Sequence, residues 1–244
     1  VSPAGGAVDA HIHLWDLDHV ALPWFRPELG LPAAALPGEL AARAAQAVTP
    51  VGAVRSAIAV QAADTPAEAD WLLARRHPVL AGVVLQFDPE DASGAAAARV
   101  GGAARGVRVA VPGRRADLSD VPGLDALCER LAAVGGVVEF LVRAEQLPAV
   151  ASLAGCHPRT AIVVCHLGLG AGTPDEAWAS ALASVAARPN AAAKVSGVVM
   201  GGASPADADA RLRRAVGVAF DAFGAGRLLF GSDWPMSARV APYE

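Results

Sequence analysis

Apolar residues recur along this chain in two alternating rhythms, one of period two and one of helical period. VDAHIHLWD, residues 8–16, opens with period two. In a strand successive side chains turn to opposite faces, so Asp9, His11, His13 and Trp15 share one face while Val8, Ala10, Ile12 and Leu14 share the other. One face is apolar and packed, the other chemical. Residues 16–37 follow with Pro23, Pro27, Gly30, Pro32 and Pro37 around Trp24 and Phe25, an ordered loop too apolar for a linker.

From there the beat is regular. Helix 38–48 precedes strand 54–62, and helix 66–77 precedes strand 79–87. The second of these helices has Pro66 and Glu68 in its first turn, where both favour helix initiation. A weaker helix over 88–100 leads to strand 105–111, helix 121–135 to strand 137–142, and helix 144–155 to strand 160–167. Helix 174–188 precedes strand 191–198, and helix 205–224 precedes strand 227–234. Strands alternating with helices of this length form parallel βαβ units, and eight of them match a (β/α)8 TIM barrel. A doubly wound open sheet usually has fewer strands and a Gly-rich phosphate turn after its first one, where HLWD stands here. The sequence ends ten residues after the eighth strand, so a distorted barrel lacking its eighth helix is expected, with residues 1–244 as a single domain.

Composition narrows the function classes. At 54% hydrophobic and 18% charged the chain can bury a large core. A net charge of −4 without a basic run argues against nucleic acid, which is bound through clustered Lys and Arg. Mean hydropathy is +0.38, yet no stretch of about 18 residues is uninterrupted and apolar, so no membrane span is expected. The start lacks an initiator Met and the pattern of a signal peptide, and is read as trimmed or incomplete. Cys128, Cys156 and Cys165 have no C-x-x-C spacing and are expected to be free thiols in the cytoplasm. The expected partner is a small-molecule substrate, with homo-oligomerisation left open.

In a barrel of this kind the active site lies at the C-terminal strand ends, and the polar residues cluster there. His11 and His13 stand late in the first strand, Gln61 late in the second, Arg108 in the fourth and Glu139 in the fifth. His166 ends the sixth, Lys194 and Ser196 the seventh, and Asp233 the eighth. His11, His13, His166 and Asp233 form an N3O set suited to a divalent metal with one position open to water, provided the barrel closes. Otherwise Asp233 caps the turn before Pro235 and His166 is a core residue. Arg108 is an anion handle or the ion-pair partner of Glu139, and Lys194 a substrate clamp or an internal salt bridge. Trp15, Trp24 and Trp234 wall the pocket or belong to loop core. If His166 faces the barrel interior, strand alternation turns Cys165 toward the helices, and its thiol is inert. His19, His77 and His157 are expected to be solvated.

The order of VDAHIHLWD, LPWF, GVRVAV, FLVRAEQLP, CHLG, AKVSG and RLLFGSDWPMS resembles the amidohydrolase superfamily over nearly the whole chain. The branch is the amidohydrolase-related group that includes sugar-lactone and dicarboxylate-lactone hydrolases. The resemblance implies a lactonase whose active centre comprises His11, His13, His166 and Asp233. It implies one Zn²⁺ there or metal-independent catalysis, with Arg108 on a substrate carboxylate or hydroxyl. Asp233 is then the general base, His166 joins it in catalysis, and Gln61, Lys194, Trp15 and Glu139 complete the substrate contacts. CHLGLG and Val109 depart from the D-H-L-G-K-P and Arg-His patterns common in the family, a departure that concerns substrate choice. The alternatives are a metal-dependent decarboxylase of the same superfamily, for which a strand-five histidine is missing, and a catalytically degenerate ligand-binding barrel.

Overall fold

A computed structural model of the chain describes residues 6–47, 52–91, 94–198 and 204–243. Eight parallel strands run in sequence order around one sheet: β1 (Ala7–Ile12), β2 (Val54–Val60), β3 (Leu80–Gln86), β4 (Ala104–Ala110), β5 (Val137–Leu141), β6 (Ala161–Val164), β7 (Ala191–Val195) and β8 (Leu228–Phe230). The intervening helices are α1 (Pro37–Gln46), α2 (Pro66–Ala74), α3 (Ala95–Ala98), α4 (Leu124–Val134), α5 (Leu147–Cys156), α6 (Glu176–Ala186) and α7 (Pro205–Phe223). The weak helix expected over 88–100 contracts to the single turn of α3; residues 92 and 93 lie outside the described ones.

Closure occurs between the first and last strands. β8 itself is short, and the irregular chain beyond it makes the seam: Asp233 N–H donates to His11 C=O at 2.8 Å and His13 N–H donates to Trp234 C=O at 2.7 Å. Asp9 ties the same seam by accepting from the backbone N–H groups of His11 (3.1 Å) and Ser232 (3.0 Å) and from the Tyr243 hydroxyl (3.0 Å). Burial pushes the Asp9 carboxyl up despite these bonds. Gly231 sits where β1 and β7 crowd together; a Cβ there would lie 2.7 Å from His11 Cβ and 3.1 Å from Ser196 Cβ. The barrel is therefore an eight-stranded, nearly closed one with seven α-helices among the described residues, and after β8 the described chain forms only a 3-10 turn, Met236–Arg239.

Apolar side chains divide into two packed regions. One joins β4–β7 to α4, α5, α6 and α7 around Phe140, Leu131, Leu147 and Trp178. The other joins β1–β3 to the 14–36 loop around Ile12, Trp15, Leu40 and Leu72. Among the described residues no helix is long and apolar enough to cross a membrane.

The last three strands end sooner than the pattern predicts. β6 stops at Val164, β7 at Val195 and β8 at Phe230, each three or four residues before its expected end. The reason is local: His166 (φ +53°), Leu167 (φ +56°), Gly197 (φ +56°) and Asp233 (φ +60°) have left-handed backbones, which a strand cannot contain.

Candidate active site

The site is built from those strand ends. His11 lies in β1 and His13 just beyond it, and both imidazoles enter the barrel mouth with their Nε2 atoms 3.3 Å apart. Asp233 Oδ1 lies 3.6 Å from His11 Nε2 and 3.5 Å from His13 Nε2. His13 Nδ1 is 2.7 Å from the Val60 carbonyl oxygen, which can only accept, so the ring carries its proton on Nδ1 and leaves an Nε2 lone pair facing the site. His166 stands beside the pair, its ring centroid 4.7 Å from that of His11 and its Nδ1 2.8 Å from Ser196 Oγ.

Among the described residues, His11, His13 and Asp233 offer ligand atoms all within 4.8 Å of one another. Two imidazole nitrogens and a carboxylate oxygen suit a borderline divalent cation such as zinc, and the fixed His13 tautomer is the state a ligand needs, so these residues fit a metal ion. His166 flanks this set without joining it. His11, Glu139 and Cys165 are similarly close, but the Lys194 ammonium lies 2.5 Å from Glu139 and already supplies the cation there.

Protonation states follow from burial. Desolvation, with the charges of His166 and Lys194 behind it, holds His11 well below the ordinary imidazole value, and desolvation also lowers His166. Burial alone would raise the Asp233 carboxyl; the polar surroundings of the facing imidazoles and the Arg108 charge outweigh it and hold the group below the usual range. At neutral pH the site thus contains a carboxylate beside neutral His11 and His166.

The other polar residues occupy two further places. Lys194 of β7 and Glu139 of β5 meet across the barrel interior at 2.5 Å, and Lys194 Nζ lies 3.4 Å from His11 Nδ1; the pair is an internal salt bridge beneath the histidines. Arg108 of β4 donates from Nε to Gln86 Oε1 (3.1 Å) and from Nη2 to the Gln61 carbonyl (2.6 Å), not to Glu139. The Gln61 amide is itself engaged, accepting from Gln86 N–H at 2.8 Å and donating to Thr65 C=O at 3.0 Å. Trp15 is fully buried in the β1–β3 core, donating to Pro32 C=O, because β1 ends at Ile12 and the face it would share with His13 no longer exists. Trp234 packs in the same core, while Trp24 donates to Ala62 C=O.

Cys165 corrects the expectation of alternation. Its Sγ lies 3.5 Å from Glu139 Oε2, inside the barrel, because the left-handed residues after it swing His166 back to the same side. Burial first, and the Glu139 charge second, push the thiol up to about 12, so it stays protonated at neutral pH. His19 pairs with Asp16 at 2.9 Å and His157 with Asp125 at 2.6 Å, both away from the mouth.

Gly197 escapes sequence reasoning, and Ser196, legible there only as a polar residue at a strand end, gains a specific partner. Gly197 backs the His166 ring so closely that a Cβ would come within 2.6 Å of Nδ1, and Ser196 fixes that same nitrogen. The signal, Ser-Gly after a β7 lysine, is visible only once the strand is seen to stop at Val195. A cavity of about 750 Å³ opens onto Asp233 from the β7–α7 side, lined by Ser196, Gly197, Leu212, Met236 and Tyr243 among others.

This histidine pair on β1, answered by an aspartate after β8, agrees with comparison to known proteins: the family model described as amidohydrolase matches residues 8–244. The chain belongs to the amidohydrolase family. Among its relatives, an L-fucono-1,5-lactonase of Burkholderia ambifaria is 36% identical over 123 residues, covering 50% of this amidohydrolase and 42% of the relative. An L-fucono-1,5-lactonase of Burkholderia multivorans is 34% identical over a stretch covering 44% of this chain and 40% of that protein. The matched stretches thus span less than half of these curated relatives. The solved structure of a Burkholderia multivorans amidohydrolase with bound zinc superposes with a TM-score of 0.82 at 28% identity, over 98% of this chain and 87% of that one.

Proposed function

We propose that this amidohydrolase opens small lactones of the sugar-acid type by general-base attack of water at the barrel mouth. The observation that carries the reading is the convergence of His11 Nε2, His13 Nε2 and Asp233 Oδ1 on one point, with Asp233 held ionised. The likeness to two L-fucono-1,5-lactonases supports the substrate class.

The Asp233 carboxylate takes a proton from water as the oxygen bonds to the lactone carbonyl carbon. The ring C–O bond then breaks, and Asp233 returns the proton to the leaving alkoxide. Neutral His166 donates a hydrogen bond to the developing oxyanion, and Arg108 orients a hydroxyl or carboxylate of the substrate. Glu139 and Lys194 support His11 from below, and Gln61 supports Arg108. His11, His13 and Asp233 would hold a zinc ion, which would supply Lewis-acid polarisation of the carbonyl and a lowered pKa for water.

Residues 1–244 are taken as one barrel domain, in keeping with the family match over 8–244. The three free cysteines favour a cytoplasmic setting.

The test is a pH-indicator screen of the purified protein over sugar lactones and dicarboxylate lactones, with and without added zinc. Opening a neutral lactone yields an acid that ionises, so a proton appears with each turnover. Acidification with sugar lactones is the expected outcome. Absence of acidification across the panel contradicts the proposal, and release of CO₂ from a carboxylated ring would replace it with decarboxylation.

A further inference from the structure

Arg108 is held in an unusual way for a buried arginine. Among the described residues no carboxylate lies within 4.0 Å of its guanidinium, and its partners are the neutral oxygens of Gln86 (3.1 Å) and the Gln61 backbone (2.6 Å). Neutral acceptors fix the fork without cancelling its charge, which reaches His11, His166 and Asp233 across the mouth. The precision of the fork therefore depends on how firmly the Gln61 carbonyl is held.

That carbonyl belongs to the β2–α2 connection, and Glu68 is what holds the connection. Glu68 is in the first turn of α2, three residues after the N-cap Thr65, where a glutamate ordinarily reaches back to the N-cap N–H. Here the side chain reaches further. One carboxylate oxygen accepts from Ala62 N–H and the other from Ala63 N–H, both at 2.7 Å, so both oxygens are spent on the residues directly after Gln61. The loop is secured from its other side by Trp24 Nε1, which donates to Ala62 C=O at 2.9 Å. Glu68 is fully buried, and desolvation pushes its carboxyl up to about 7 against those two bonds and the nearby Arg108 charge. Keeping an ionised group there costs stability at neutral pH, whereas α2 already has its Thr65 cap and Pro66 start.

We propose that Glu68 is a positioning residue for substrate recognition: by clamping Ala62 and Ala63 it fixes the Gln61 carbonyl, and that carbonyl fixes the Arg108 guanidinium. This rests on the reading of Arg108 as the substrate-orienting group.

Two measurements on the full chain test it. The first needs no substrate: crystal structures of the wild type and Glu68→Ala. The Arg108 Nη2 to Gln61 contact is expected in the wild type and absent or displaced in the variant; a contact unchanged by the substitution overturns the proposal. The second is a kinetic cycle of Glu68→Ala, Arg108→Ala and the double variant on a sugar lactone, followed by proton release. Glu68→Ala is expected to raise KM about tenfold with kcat within about threefold, and to add less than about twofold once Arg108 is gone. A KM unchanged by Glu68→Ala, or effects that multiply in the double variant, overturns it. A displaced guanidinium together with an Arg108→Ala variant of normal KM would instead refute Arg108 as the substrate group while leaving the clamp standing. If Glu68→Ala does not fold, Glu68→Gln, which keeps the volume but turns an amide NH2, itself a donor, toward one of the two N–H donors, takes its place in both arms with the same outcomes.

Discussion

The two sides of the barrel mouth are made differently. On the β2–β4 side Gln61, Gln86 and Arg108 lie on or directly after regular strands and are braced by hydrogen bonds between neutral amides and one arginine. On the β6–β8 side His166, Gly197 and Asp233 stand on left-handed backbone beyond strands that have already ended. A regular strand can direct a side chain only up or down the alternation, and a recognition group needs no more. A proton-transferring carboxylate has to meet two imidazoles from another strand, and that requires leaving the strand. Left-handed conformations at non-glycine residues cost on the order of 1–3 kcal/mol each, and they persist where surrounding contacts over-determine them. Here the seam bond from Asp233 N–H to His11 C=O does so.

The comparison breaks most visibly at Asp233. Asp233→Asn removes the base but keeps the shape, and should lower kcat by about 10³-fold with an unchanged melting temperature. Steady-state kinetics and thermal melts check this, and a variant retaining half its activity would move the chemistry elsewhere. On the regular side the largest effect is on stability. The Glu68 carboxyl is raised from 4.5 to about 7 in the folded protein, so folded chains hold a proton that unfolded chains lose across that window. The wild type should therefore lose about 3 kcal/mol of stability relative to Glu68→Gln as pH rises from 4.5 to 7. Urea titrations at both ends of the window read the difference, and parallel curves would refute the shift.

Gly197 sharpens the contrast further. Gly197→Ala meets the His166 ring at 2.6 Å as well as a left-handed φ of +56°, whereas Gly170→Ala has a similar φ of +52° and nothing within 4 Å. Both should lose roughly 1 kcal/mol or more from backbone strain, but only Gly197→Ala should also lower kcat, by about tenfold or more. Equal activity in the two variants would mean that His166 tolerates displacement. The smallest effect is expected at Cys165. With its thiol at about 12 it should resist alkylation at pH 8, and Cys165→Ala should keep activity within about twofold.

Much of this was legible in the sequence. The βα rhythm carries the barrel because each strand and helix must bury an apolar face, and that requirement is written directly in periodicity. His11, Arg108 and Lys194 were legible for the same reason: they sit in strands where alternation holds. His166 and Cys165 were not both placed correctly, because two left-handed residues bring adjacent positions to one side and no local pattern announces them. Alternation puts Trp15 on the chemical face only if β1 continues past Ile12, where the strand ends. Glu68 was readable only as a helix-start residue; its bonds to Ala62 and Ala63 depend on how the preceding loop folds back. Of the four-residue donor set, His11, His13 and Asp233 bring ligand atoms within 4.8 Å of one another, while His166 stands beside them with Nδ1 on Ser196, since ring orientation is decided by neighbours distant in sequence.

The central claim is that water, activated at Asp233, attacks a lactone carbonyl. A single turnover of a sugar lactone in ¹⁸O-labelled water tests it most directly. The account predicts one labelled oxygen in the product carboxylate and none in the newly freed hydroxyl. Label in the hydroxyl, or unopened lactone after prolonged incubation with folded protein, would contradict it.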